Sequence, residues 1–246
     1  MTRKNLILLL FSLLTLNSCN KHEGPELRFC ENYIQNYCQG DLVLLSRSPD
    51  RPPPQIPADP QTPIRNFWIE LTDCEWISPE SDPQEFERLA IRNGDVGYNR
   101  WLEFWEYPSA FADNFQTMHI TSNADWDEAH PAGTSLDDVL QVRINSSSDF
   151  VHDGYDMGEY KYEFLQNYDY LKTIEKRPSE LTAADMKMVY YSLTDFSSQT
   201  KSPVIVFTSA PTLEKEHTLT LRWTTVEGDV KTASITCTPE VDPALQ

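Results

Sequence analysis

The amino-acid sequence predicts a mainly β protein, a β-sandwich with one or two short helices. Short stretches of alternating apolar and polar residues recur from residue 67 onward, and such alternation is typical of strands. Two of these stretches flank the turn Glu227-Gly228-Asp229 and predict a hairpin. The chain holds 17 prolines and only 8 glycines, which favours strands joined by rigid loops. An immunoglobulin-like order of strands is one arrangement that fits this pattern.

Each predicted strand rests on a local pattern. Phe67, Ile69 and Leu71 occupy alternate positions and therefore share one face of an extended segment. Residues 98–107 fit both helical and strand spacing, and their aromatic content together with Pro108 favours a strand. Further strands are predicted at residues 115–121, 140–144, 204–207, 218–224 and 233–237.

In the C-terminal hairpin, the apolar positions of both strands face the same side, so Cys237 is predicted to point inward. Two helical segments are also predicted. A short turn at residues 136–140 follows Thr134 or Ser135 as its cap. A helix at 181–193 begins at Thr182, with a strand from residue 189 as the alternative.

At the N-terminus, a basic start precedes an apolar run at residues 6–16, and Ser18 stands directly before Cys19. This pattern resembles the signal of a bacterial lipoprotein. The run is shorter than the roughly 20 residues that a membrane-spanning helix needs. The resemblance implies cleavage before Cys19, lipid on its sulfur and, with Asn20 next, an anchor in the outer membrane. A leucine-rich core helix is the alternative interpretation of the same run.

Changes in composition predict five segments along the chain. Seven prolines dominate the stretch that follows residue 45, which predicts extended polyproline II backbone. That stretch is either a linker or a long excursion between two strands of one sheet. The segments are a signal peptide at 1–18, a tether and N-terminal arm at 19–45, the proline-rich linker or loop at 46–66, a β-rich domain at 67–241 and a tail at 242–246.

The charge balance is strongly acidic. The chain has 20 basic and 38 acidic side chains, a formal net charge of −18. Such a body repels the phosphates of nucleic acids, so no nucleic-acid partner is predicted. Solubility is the simplest interpretation of the charge, and a divalent cation partner is the functional alternative.

Four cysteines remain beside Cys19, an even number in a chain expected to be exported. Disulfides are therefore predicted, and three connectivities are open. Cys30–Cys38 and Cys74–Cys237 are favoured. Free buried cysteines are the alternative. A zinc site is disfavoured because the sequence has no Cys-x-x-Cys pair.

Two groups of residues are candidates for ligand binding. Calcium is the metal that an acidic loop around His152 would bind, through Asp149, Asp153, Asp156 and Glu159. That loop lacks the EF-hand spacing, and a solvated loop is the alternative. Trp68, Trp101 and Trp105 are predicted to form an exposed aromatic patch, although core packing is the usual role of tryptophan.

No catalytic motif is apparent. The sequence lacks both the His-Glu-x-x-His pair of zinc proteases and the Gly-x-Ser-x-Gly elbow of hydrolases. His130, in a His-Pro-Ala-Gly sequence, is interpreted as a residue that fixes its loop. His217, at the start of a strand, is interpreted as a rim residue.

Two stretches carry a family resemblance. Residues 118–139 run from a strand into an Asp-rich loop with His130-Pro131-Ala132-Gly133, and residues 209–233 hold a Pro-Thr turn before a His-led strand. With the lipoprotein start, they resemble an uncharacterised family of Bacteroides-type lipoproteins, a domain of unknown function, across residues 67–241. The resemblance implies a β-rich cell-envelope lipoprotein and transfers no functional residues.

Taken together, these patterns predict a non-enzymatic, lipid-anchored protein of the cell envelope. Its β-rich domain is expected to bind a protein or glycan partner or to support an assembly. The alternative is a surface lipoprotein that binds or processes glycans. No cofactor is predicted apart from the calcium candidate.

Overall fold

The fold is mainly β, as the sequence predicts. The computed structural model describes residues 26–46, 63–104, 107–156, 171–191 and 202–241. Within them, the strands are β1 (Glu26–Cys30), β2 (Asn36–Leu45), β3 (Pro63–Ile64), β4 (Asn66–Ile77), β5 (Arg100–Phe104), β6 (Ser109–Phe111), β7 (Phe115–Ser122), β8 (Leu140–Ser146), β9 (Lys172–Lys176), β10 (Val204–Phe207), β11 (His217–Thr225) and β12 (Val230–Pro239). The α-helices are α1 (Pro83–Asn93) and α2 (Ser148–His152).

The strands form three sheets. Six strands lie in the order β6-β2-β4-β10-β8-β9, four in the order β3-β12-β11-β7, and β1 pairs with β5. The two larger sheets contribute side chains to one hydrophobic core, an arrangement consistent with a β-sandwich. The pairings of β2 with β6 and of β3 with β12 are parallel, and an immunoglobulin-like order is not confirmed.

Alternation of side chains explains why these segments are strands. Phe67 and Ile69 of β4 are fully buried, whereas Trp68 between them is half-buried on the opposite face. The predicted hairpin is confirmed. β11 and β12 form an antiparallel pair in which His217 lies opposite Cys237. Cys237 is buried, as expected from its place on the apolar face.

The N-terminal segment belongs to the same fold. β2 pairs with β4 along most of its length, from Tyr37 opposite Ile77 to Leu45 opposite Trp68. β2 therefore belongs to the same sheet as the domain that was predicted to begin at residue 67. This corrects the predicted separation of a tether and arm at 19–45 from that domain. The proline-rich stretch was interpreted either as a linker or as an excursion between two strands of one sheet. The pairing of β2 with β4 agrees with the excursion.

The main helix is one that the sequence analysis did not predict. α1 begins after Asp82, whose carboxylate accepts a hydrogen bond from the Glu85 amide at 3.1 Å, and it ends at Gly94 with φ of 74°. It packs Phe86 and Leu89 into a second apolar cluster on the far side of β2.

The helix predicted at 181–193 is wrong. The described part of this segment holds one turn, closed by Met186 N–H to the Thr182 carbonyl at 3.1 Å, and then isolated bridges at Val189 and Tyr190. Consecutive side chains from Met188 to Tyr191 are buried, and a one-sided surface helix cannot bury four neighbours in a row. The predicted turn near residue 136 is present as a 3₁₀ helix at Asp137–Val139, without a side-chain cap.

Candidate functional site

The most exposed aromatic side chains in the described part of the chain lie together on the two-stranded sheet. Phe29 of β1 stands opposite Trp101 of β5, and their rings meet edge to face with centroids 5.7 Å apart. Phe29 is 46% exposed and Trp101 is 65% exposed. We call this pair the aromatic face. Exposed aromatic pairs of this kind are typical of surfaces that bind a partner.

The opposite side of the same sheet is fixed to the protein body. Cys30 is buried in the second apolar cluster. The Arg100 guanidinium lies over the Tyr98 ring, 5.3 Å from its centroid, and donates a hydrogen bond of 2.9 Å to the Tyr155 carbonyl. With this side held by packing and hydrogen bonds, the aromatic face projects from a fixed base rather than from a free strand.

A buried carboxylate organises that base. The Asp95 side chain is inaccessible to solvent and accepts hydrogen bonds from the Tyr33 amide at 2.9 Å, the Ile34 amide at 2.8 Å and the Tyr155 hydroxyl at 3.0 Å. Burial raises the pKa of Asp95, and its three hydrogen bonds oppose that rise. Asp95 therefore ties the loop after β1 to the segment that follows α1.

The other predicted members of the aromatic patch do not extend this face within the described residues. Trp68 is half-buried on β4, a strand of the six-stranded sheet, so the structure does not bring it to the β1–β5 sheet. Trp105 lies outside the described residues. Trp126 and Trp223 are fully buried, in agreement with the core role expected for most tryptophans.

His130 fixes its loop, as the sequence suggests. Its Nδ1 lies 2.7 Å from Asp127 Oδ1 and its Nε2 lies 2.7 Å from Asp138 Oδ1. Burial alone would lower the pKa of His130, but the two carboxylates raise it above the ordinary value. The carboxylates bind opposite edges of the ring, so the three side chains do not converge on a single point where a metal ion could sit.

We expect this loop to be held more tightly at pH 6 than at pH 8.5. Because the folded pKa of His130 is raised, its stabilising contribution is complete below the unfolded value of about 6.5 and is lost as pH rises through the folded pKa. The change in the free energy of unfolding is less than about 1 kcal/mol, because solvent screens the partners. Urea denaturation at both pH values measures it.

Two matched variants test the assignment to His130. His130→Gln should remove the part of the difference that His130 contributes, whereas His119→Gln, at an exposed position of β7, should leave the difference unchanged. An unchanged pH dependence in His130→Gln would show that another group is responsible.

His217 forms a Ser–His pair that is enclosed by the fold. Its Nδ1 lies 2.8 Å from the Ser122 hydroxyl, and its Nε2 lies 3.1 Å from the Glu214 carbonyl. The ring is fully buried, 4.9 Å from the Trp126 ring, so the expected rim position is wrong. Burial lowers the pKa of His217. With both nitrogens bonded and no access to solvent, the pair joins β7 to β11 and is not placed to act on a substrate.

The predicted calcium ligands do not come together in the described residues. The Asp149 carboxylate on α2 forms an ion pair with Lys172 at 2.5 Å, while Asp153 and Asp156 are exposed on the loop that follows. Glu159 lies outside the described residues. Across the described ranges, no group of three or more His, Cys, Asp or Glu side chains is arranged to hold a metal ion.

The predicted disulfides are not formed. Cys30, Cys38, Cys74 and Cys237 are thiols outside any disulfide, which is the alternative that the sequence left open. Cys30 and Cys38 belong to different apolar clusters, and consecutive side chains of β2 point to opposite faces, so the pairing Cys30–Cys38 is excluded by the fold. Cys19, the predicted lipidation site, lies outside the described residues.

A shallow, open depression of about 240 Å³ lies at the edge of the four-stranded sheet. It is lined by Pro63, Pro211, Lys215, Thr238, Pro239 and Glu240. Three of its six lining residues are prolines, and Lys215 and Glu240 are its two charged side chains.

Two important residues were missed by the sequence analysis. Phe29 alternates with Arg28 and Cys30 in the way expected of a strand, and this signal was available. Asp95 has no local signal, because its partners Tyr33, Ile34 and Tyr155 lie about 60 residues away in either direction.

None of the helices among the described residues has the length and hydrophobicity needed to cross a bilayer. Searches of protein-family models, curated proteins and solved structures found no match to this chain, so the aromatic face is interpreted from its own geometry.

Proposed function

We propose that this chain is a non-enzymatic lipoprotein of the outer membrane, held by lipid on Cys19, whose β-rich body binds a protein partner in the cell envelope. The aromatic face carries the proposal. Two large apolar side chains in contact with each other and with solvent gain free energy when a partner covers them, at roughly 25 cal/mol for each Å² of apolar surface buried.

The position of the face in the chain supports a partner at the membrane. Seven residue steps separate Cys19 from Glu26, where β1 begins, and such a length of chain spans at most about 25 Å. A lipid at Cys19 would therefore keep the aromatic face close to the bilayer, where other envelope proteins are present at high local concentration.

The acidic surface limits the kind of partner. With a formal net charge of −18, the chain repels other strongly acidic surfaces and favours a neutral or basic partner. Aromatic residues are enriched among the positions that dominate binding energy at protein interfaces.

A glycan ligand is the second candidate, because exposed tryptophan rings also stack on sugars. The edge-to-face contact between Phe29 and Trp101, with ring planes at 68°, favours a protein pocket over a sugar. A sugar ring is better matched by a flat platform of coplanar aromatic rings. Glycan binding thus remains the alternative that the experiment must separate.

We expect the double variant Phe29→Ala/Trp101→Ala to lose capture of an envelope partner by at least tenfold. The measurement is crosslinking in intact cells followed by affinity purification, comparing parent and variant at equal membrane abundance. Ile91→Ala is the matched control, because Ile91 is 61% exposed on α1 and lies outside the aromatic face. Equal capture by parent and double variant would contradict the proposal.

Two further measurements test the lipid anchor and the kind of ligand separately. Cys19→Ala should release the protein from the membrane fraction, and retention there would overturn the lipid anchor. Titration with outer-membrane and capsular polysaccharides, read by tryptophan fluorescence, tests the glycan alternative. A saturable shift that disappears in Trp101→Ala would favour the glycan over the protein partner.

A further inference from the structure

A β-bulge brings Cys74 towards Cys38. The register pairs Gln39 with Glu75 and then Asp41 with Thr72, so one residue of β2, Gly40, opposes two residues of β4. The strands approach closely at this point, because a Cβ atom on Gly40 would lie 2.5 Å from the Thr72 carbonyl oxygen and 3.6 Å from the Cys74 Cα.

Both thiols face the main core. Cys38 is buried there, and Cys74 is half-buried and packs against the same cluster. Trp76, directly opposite Cys38, packs there too, and Cys74 lies two residues away from Trp76 on that face. Cys74 is therefore the diagonal cross-strand neighbour of Cys38.

The contacts of the two sulfurs agree with this placement. Burial and the neighbouring Cys74 thiol both raise the pKa of Cys38. The Cys74 Sγ also lies 3.5 Å from the Tyr191 hydroxyl and 3.6 Å from the Leu71 carbonyl, weak contacts that a side-chain rotation can exchange.

We propose that Cys38 and Cys74 are a modification site. An external disulfide compound oxidises the two thiols, and they form an intramolecular disulfide bond. The Cys74 thiolate attacks one sulfur of the oxidant, forms a mixed disulfide and releases one thiolate. The Cys38 thiolate then attacks the Cys74 sulfur of the mixed disulfide and releases the second thiolate of the oxidant. The protein loses two protons and two electrons, and the oxidant is reduced to two thiols.

The environment sets the order and the rate of these steps. Cys74 reaches solvent and so meets the oxidant first, whereas Cys38 is enclosed. Burial raises the pKa of Cys38, so the closing step should accelerate as pH rises. An exported location, which belongs to the proposed function, would supply the oxidising conditions, but the pairing itself rests on the bulge.

The pairing is tested on the full chain carrying Cys19→Ala, purified in reduced form and incubated with oxidised glutathione. Remaining thiols are then alkylated in denaturant and the peptides are mapped by mass spectrometry. We expect one crosslink, Cys38 to Cys74, with Cys30 and Cys237 alkylated. Cys30→Ser/Cys237→Ser should form the same crosslink, and Cys74→Ser should form none.

Three outcomes would overturn the pairing: four alkylated thiols, glutathione retained on Cys74 without closure, or a crosslink to Cys30 or Cys237. Mapping the same peptides from alkylated native envelopes tests the location separately. A crosslink that forms with glutathione but is absent from cells would count against the exported location and leave the pairing intact.

Discussion

Asp95→Ala is expected to lower the free energy of unfolding by about 3–4 kcal/mol, one of the largest effects of any single substitution in this protein. The substitution leaves the Tyr33 and Ile34 amides and the Tyr155 hydroxyl without their acceptor inside an apolar cluster. Each buried donor left without a partner costs roughly 1–3 kcal/mol. Urea denaturation at constant pH measures the loss.

Graded variants test whether the three hydrogen bonds are responsible. Tyr155→Phe removes one of the three donors and should cost about 1 kcal/mol. Asp153→Ala, at an exposed position of the α2 loop, is the matched control and should change the free energy by less than about 0.5 kcal/mol. A loss below 1 kcal/mol in Asp95→Ala would mean that water or a rearranged loop replaces the carboxylate.

Asp95 also has a predictable pH dependence. Its pKa is raised in the fold by burial, so protonation favours the folded state. The stability linked to this group is complete below its unfolded pKa and is lost as pH rises through the folded pKa. The hydrogen bonds from Tyr33, Ile34 and Tyr155 oppose this rise in pKa and so reduce the pH dependence.

Trp223→Ala is expected to cost about 4–5 kcal/mol, the upper end of the range for large-to-small core substitutions. The Trp223 ring is fully buried between the two larger sheets and stacks on Phe115, with centroids 3.8 Å apart and planes at 14°. Its indole N–H points to the Met186 sulfur at 3.1 Å. The substitution removes all these contacts and leaves a cavity, and urea denaturation measures the result.

The same substitution at Trp101 is the matched control. Trp101 is 65% exposed, so Trp101→Ala should cost less than about 1 kcal/mol. The two variants together separate stability from binding, since Trp223→Ala should impair folding and Trp101→Ala should impair partner capture. A stability loss in Trp101→Ala as large as that in Trp223→Ala would show that the aromatic face is part of the core.

Local patterns explain how much of the fold was predictable. The strands around Phe67, Phe115, Leu140 and Leu219 were located because each has a buried face that repeats every second residue. The signals of α1 were equally local, with Asp82 and Pro83 at its start and Gly94 at its end, so this helix was also predictable from the sequence.

The helix predicted at 181–193 shows where local patterns mislead. Thr182 and Asp185 do form the reciprocal hydrogen bonds of a helix start, with the Thr182 amide to Asp185 Oδ2 at 2.8 Å. The segment then leaves the helical path because the side chains of Val189 and Tyr191 fill space between sheets. Tertiary burial outweighs a capping signal that contributes only about 1 kcal/mol.

The candidate site was predictable only in part. Trp101 was named from its position on an alternating segment, and its exposure agrees with that expectation. Phe29 became its partner because β1 pairs with β5, about 70 residues away in the chain. The sequence contains no signal for that pairing, since strand register depends on the whole sheet.

The sequence alone predicted the β class, the positions of most strands and the inward direction of Cys237. Alternation and turns depend on near neighbours in the chain, so these features have local signals. Only the tertiary structure decided that Phe29 meets Trp101, that Asp95 is enclosed by three donors and that Cys38 shares a face with Cys74 rather than with Cys30. Those contacts depend on which strands pair and on one bulge. Both are settled by packing between distant segments around the two apolar clusters.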